Sequence, residues 1–190
     1  GRTGLIVLAN PRTGTMATRD ALMTFDGVVR AGGHHEKIER IWERFSKPPH
    51  SERLPTAVIA MPTCTTIRNH FDAFASWFQV TLNQTDLKRN PPRFANMTEF
   101  IKRFTMPHFG VMGNKLWELH PGTSYVLRYE TLQADLSMTL TKCGYMPATL
   151  PHKNVTKHKR PYQDYYTKSE VQMMYDRFGE EMTELGYDFN

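Results

Sequence analysis

Residues able to hold an anion open the chain. Leu5–Leu22 reads LIVLANPRTGTMATRDAL: a short apolar run, then Asn-Pro-Arg-Thr-Gly-Thr, then a segment with helical character. A strand turning sharply into a helix start exposes a row of backbone N–H groups and the positive end of the helix dipole. That arrangement suits phosphate or sulfate. Arg12 adds a permanent cation with forked donors. A second feature is RNHFDAFAS, in which Arg68 ends an apolar stretch and Ser76 follows two helical turns later. An arginine and a hydroxyl so spaced could pinch one phosphate. The third is the basic run KNVTKHKR, Lys153–Arg160. Charge runs of this kind are most often solvated loops. As a flap over an anion, Lys157 and Arg160 are favoured over Lys153.

The loop is not a nucleoside-triphosphate P-loop of the form GxxxxGK[ST]. No apolar strand ending in Asp is evident to hold magnesium. The phosphate-cradling part of such a site is present without its metal-handling part.

The elements that must position these residues follow from periodicity. Leu5–Ala9 reads as a buried strand and Thr15–Phe25 as the helix after it. Ala31–Gly33 is a turn, Glu36–Phe45 a helix, and Lys47–Pro49 its break. The next strand is either Ala57–Met61 or Cys64–Ile67, divided by Pro62. Helices are expected over Asn69–Leu82, Met97–Phe104, Thr131–Cys143 (stopped by Gly144) and Thr167–Leu185. A strand is expected at Ser124–Leu127. Glu130 is read as bracketing the helix at Thr131. In the last helix Val171, Met174, Tyr175, Phe178, Met182 and Leu185 form one apolar stripe, read as core. Strands alternating with helices argue an α/β fold with a mostly parallel sheet, and ligands of such sheets sit beyond the strands' carboxyl ends.

The chain has 190 residues, enough for one domain, 1–190, with a core of its own. Its net charge of +5 favours anionic partners in general without choosing among them. Cys64 and Cys143 lack metal-ligand spacing and read as buried thiols. No run is long enough to span a membrane. With no leader seen ahead of the first strand, a cytoplasmic location is expected. The Asn-x-Thr triplets at Asn83, Asn96 and Asn154 are then read as chance.

Taken together, Pro11–Ala17, Arg68 and Ser76 resemble the two cofactor signatures of sulfotransferases that use PAPS (3′-phosphoadenosine 5′-phosphosulfate). The resemblance continues through VLRYETLQAD (Val126–Asp135), LPHKNVTKH (Leu150–His158), Tyr162–Tyr166 and Phe178–Phe189. It is closest to the carbohydrate-type branch, sulfotransferase family 2. The order and spacing of the motifs, more than any one of them, carry it. The chain differs in having His70 where the family often has Pro, Ala73 where many relatives have Arg, and Arg12 where many have Lys.

The resemblance implies a three-layer α/β/α, P-loop-like fold and a transferase for sulfuryl groups. PAPS would be the donor, PAP the product, and no metal would be needed. The 5′-phosphosulfate would lie on Arg12, Thr13, Gly14, Thr15, Met16 and Ala17, with the Thr13 and Thr15 hydroxyls adding contacts. The 3′-phosphate would lie on Arg68 and Ser76, with Lys157 and Arg160 as further cofactor contacts. A histidine ahead of the second cofactor strand would be the base. His34 and His35 both fit that position; His35, opening a helix, is placed first, and two adjacent side chains do not face one point. The acceptor would be a small-molecule or glycan hydroxyl, not nucleic acid. Two other readings stand beside this one: a P-loop nucleotide kinase or NTP-binding protein, and a non-enzymatic polyanion-binding domain.

Overall fold

The computed structural model of the chain describes residues 4–8, 10, 13–25, 61–83, 94–104, 115–117, 123–151 and 160–190. It is a mixed α/β protein whose described residues form a parallel three-stranded sheet and five α-helices. The strands are β1 (Ile6–Leu8), β2 (Thr63–Ile67) and β3 (Tyr125–Arg128). The helices are α1 (Thr15–Leu22), α2 (His70–Asn83), α3 (Met97–Arg103), α4 (Leu132–Lys142) and α5 (Lys168–Leu185). The backbone divides into two compact units: Gly1–Ile67 with Leu119–Val155, and Arg68–Glu118 with Thr156–Asn190.

The first unit holds the sheet, in the order β1-β2-β3. Leu8 pairs with Thr65 and Ile67 with Arg128, so all carboxyl ends point to one edge. β2 is central, and all five of its residues are buried. Its Thr-rich, β-branched composition suits that place, provided its hydroxyls find partners. This resolves the choice of second strand in favour of the segment after Pro62, whose carbonyl accepts Ile6 N–H at 3.0 Å. Residues 57–60 lie outside the described set. β1 is shorter than expected and only half-buried, because among the described residues it has a single neighbour, β2.

Leu127, Leu132, Leu136 and Leu140 pack with Ala21, Cys64 and Ala148 into this unit's core. Both cysteines are buried free thiols. Burial, with Cys143 beside it, pushes the Cys64 thiol up to about 12. A 3-10 turn, Tyr129–Thr131, precedes α4. Asp135 brackets it: its Oδ2 accepts Arg128 N–H at 2.8 Å and the Thr131 hydroxyl at 2.9 Å. Past the other end of α4, Gly144 takes φ +81°, where a left-handed residue stops the helix.

The second unit is built on aromatic rings. Phe71, Phe74, Phe100, Trp117 and Phe178 are fully buried or nearly so. Phe74 alone meets Trp77, Phe100, Phe104 and Phe178 edge-on. α5 starts at a capping box, Thr167 with Glu170, and ends at Gly186 with φ +66°. Of its expected stripe, Met174, Phe178 and Met182 are buried, while Val171, Tyr175 and Leu185 are half-buried. A 3-10 turn at Tyr162–Tyr165, not anticipated from periodicity, precedes it. The predicted helices at 36–45 and the turns at 31–33, 47–49 and 90–92 fall outside the described residues. Among the described residues no helix is long and apolar enough to cross a membrane.

Candidate anion-binding site

The opening turn belongs to the first unit. It is built by Asn10, a residue sequence reasoning did not single out. The Asn10 side-chain amide donates to Thr65 Oγ1 at 3.1 Å and to the Thr66 carbonyl at 3.0 Å, tying the turn to the buried central strand. The Asn10 carbonyl accepts the hydroxyls of Thr13 at 2.8 Å and Thr15 at 2.6 Å. The hydroxyls expected to reach the anion thus donate inward, and they shape the loop. An Asn at a strand end before Pro is a turn signal that could have pointed to it.

Gly14 follows at φ +78° and is the N-cap of α1, so the cap residue itself has no side chain to offer the helix's first N–H groups. Helix-start N–H groups that the cap residue does not satisfy are open to other partners, a ligand or solvent among them. Glycine is required here twice over. The left-handed backbone disfavours any Cβ, and a Cβ would lie 2.7 Å from Leu132 Cδ2 and 3.4 Å from the Tyr129 ring. This gives the RYETLQAD motif a physical meaning: Tyr129 and Leu132 close over the glycine, and Asp135 holds them in place. Met16 and Ala17 are half-buried, and the buried Thr18 donates its N–H to the Gly14 carbonyl at 3.0 Å, closing the first helical turn.

Arg68 and Ser76 belong to the second unit. Asn69 caps α2: its Oδ1 accepts Phe71 N–H at 2.9 Å, and its Nδ2 donates to the Asp188 carbonyl at 2.7 Å. Arg68, just before the cap, is only 4% exposed. Its Nε and Nη2 donate to one oxygen of Asp72, at 2.8 and 2.7 Å. Its carbonyl accepts Trp117 Nε1–H at 2.9 Å. Stripping water from a guanidinium costs several kcal/mol, and the paired carboxylate offsets this. Asp72 was missed from sequence, although it stands four residues after Arg68, the spacing at which helical side chains meet. Ser76 lies one further turn along the same face and is also buried.

His70 opens α2. Its Nε2 lies 2.7 Å from Glu181 Oε2 on α5, and its buried Nδ1 has no hydrogen-bond partner among the described residues. Glu181 also accepts Leu116 N–H at 2.7 Å and Trp117 N–H at 3.0 Å. One buried carboxylate therefore joins the helix start to the segment that holds the Arg68 carbonyl. Tyr166 donates its hydroxyl to the Phe71 carbonyl at 2.7 Å. Burial first, and then the Asp72 charge, keeps that phenol protonated well above its usual range.

Arg160 is exposed, and its guanidinium carbon sits 4.1 Å from the centre of the Tyr165 ring. Arg12, His34, His35 and Lys157 lie outside the described residues. The structure thus gathers Thr13–Ala17 into one turn of the first unit, and places Arg68, Ser76 and Arg160 within the second. Among the described residues no cluster of His, Cys, Asp and Glu is arranged to hold a metal ion. No protein-family model matches this chain, and a search of curated proteins finds no match.

Proposed function

We propose that the chain is a PAPS-dependent sulfotransferase acting on a hydroxyl, with the carbohydrate class of acceptor favoured by the motif resemblance. In this reading the parallel sheet is the core of a three-layer, P-loop-like fold. The observation that carries the proposal is the opening turn: a strand-to-helix turn pinned to the central strand, with a left-handed glycine as the cap of α1 in place of a capping side chain, beside the helix's first N–H donors. Such donors suit a sulfated phosphate. Arg68, buried just before α2 and paired with Asp72, is the second group this reading assigns to the anion.

The donor supplies an activated sulfuryl group. The N–H groups of Thr13–Ala17 and the Arg12 guanidinium hold it and stabilise charge on the bridging oxygen as the leaving phosphate departs. Arg68 and Ser76 hold the 3′-phosphate. The acceptor oxygen bonds to sulfur from the side opposite the leaving group, the bond to the phosphate oxygen breaks with its electron pair, and His35 or His34 takes the hydroxyl proton.

Titration calorimetry with PAP and, separately, with ATP and magnesium tests this. The proposal expects saturable binding of PAP without divalent ions, and transfer of labelled sulfate from PAPS to a glycan acceptor. Binding of ATP–magnesium in preference to PAP would favour a kinase. Salt-sensitive binding of any polyanion with no response to PAP would favour a polyanion-binding domain.

A further inference from the structure

The second unit carries a line of contacts that leads from α2 to Arg160. Asp72, Ser76 and Gln79 succeed one another at four- and three-residue spacing, so they share one face of α2. The side-chain amide of Gln79 meets the Tyr165 hydroxyl. Arg160 lies over the Tyr165 ring, 4.1 Å from its centre. The arginine is thereby linked to the α2 face that carries Ser76.

Electrostatics give this link a purpose. Arg68 is bound to Asp72 through two donors, so the pair carries no net charge. A phosphate dianion approaching that face meets a neutral pair and needs another cation. Arg160 is a permanent cation, and among the described residues no carboxylate pairs with it. A guanidinium stacked on a phenol ring is held in orientation while its edge donors stay available.

We propose that Tyr165 and Gln79 are positioning residues that aim Arg160 at the α2 face of Ser76, where it selects a nucleoside 3′,5′-bisphosphate over the corresponding 5′-monophosphate. The inference rests on the sulfonucleotide reading and adds to it the source of discrimination for the second phosphate. Tyr165 and Gln79 touch no phosphate themselves.

Calorimetric titration of PAP and of 5′-AMP into the full chain tests it, with Tyr165→Leu, Tyr165→Phe, Gln79→Leu and Arg160→Gln as variants and melting temperature as the folding control. The unaltered chain should prefer PAP. Tyr165→Leu should lower PAP affinity by about 3- to 10-fold, the scale of a lost cation–π contact, and leave 5′-AMP unchanged. Arg160→Gln should lose at least as much, and the Tyr165→Leu/Arg160→Gln double variant should lose no more than Arg160→Gln alone. Tyr165→Phe, which keeps the ring, should retain most of the preference, and Gln79→Leu should weaken it in part. Equal losses for both nucleotides, or a full PAP preference in Tyr165→Leu, would overturn the inference while leaving the sulfonucleotide reading intact. An unaltered chain that binds neither nucleotide would overturn both.

Discussion

Replacing Gly14 by alanine probes the opening turn with a strain the coordinates define. The residue sits at φ +78°, and an added Cβ would lie 2.7 Å from Leu132 Cδ2. A left-handed conformation costs a residue with a Cβ about 1–2 kcal/mol. Forcing a methyl into packed surroundings costs about 1–3 kcal/mol more. Gly14→Ala should therefore destabilise the protein by about 2–5 kcal/mol, read as a shift in the urea unfolding midpoint. Leu132 is buried, so Leu132→Ala alone should cost about 2–5 kcal/mol. The two changes interact, because truncating Leu132 removes the atom the new methyl strikes. The double variant should be more stable than the sum of the singles predicts by about 1–3 kcal/mol, with the backbone share of the Gly14 cost remaining. Additivity within about 0.5 kcal/mol would refute the close approach of Leu132. A neutral Gly14→Ala would refute the turn geometry as a whole.

Other expectations concern charge and protonation. Arg12→Ala should abolish sulfate transfer while leaving the unfolding midpoint near that of the unaltered chain, since the stabilisation it supplies falls on the leaving group. Arg68→Gln combined with Asp72→Asn removes both charges of the buried pair together, so no lone carboxylate is stranded. It should weaken PAP at least tenfold and 5′-AMP little, measured by calorimetry, since the lost donors are charge-assisted. Cys64 keeps its proton to about pH 12 in the folded state, whereas the unfolded thiol loses it above about 9.0. Between those values the unfolded state binds fewer protons, so stability falls as pH rises, by up to about 1.4 kcal/mol per pH unit. Cys64→Ala should lose this part of the slope in urea titrations across that window; an unchanged slope would contradict the buried, protonated thiol.

Much of the frame was legible in the sequence because its signals are local. Gly144 and Gly186 stop helices as their positive φ requires, and Thr167 with Glu170 announces the start of the last one. The apolar and β-branched pattern places β3 to within a residue and leaves β2 open between the segments on either side of Pro62, of which the second forms the strand. What escaped was made by partners distant along the chain. Asn10 is bonded to Thr65 and Thr66, more than fifty residues away. Glu181 gathers His70, Leu116 and Trp117, which no periodicity relates. Asp72 is legible by helical spacing, four residues after Arg68, and lies between Arg68 and Ser76. The Thr13 and Thr15 hydroxyls were assigned outward because their types suit an anion, while the turn uses them inward on the Asn10 carbonyl.

The account rests on main-chain donors at the opening turn taking the sulfated end of the nucleotide. Amide proton–nitrogen correlation spectra recorded while PAP is added to the magnesium-free protein test this most directly. The resonances of Gly14, Thr15, Met16 and Ala17 should shift together and saturate at one affinity. Saturable PAP binding that leaves those four resonances in place would contradict the account.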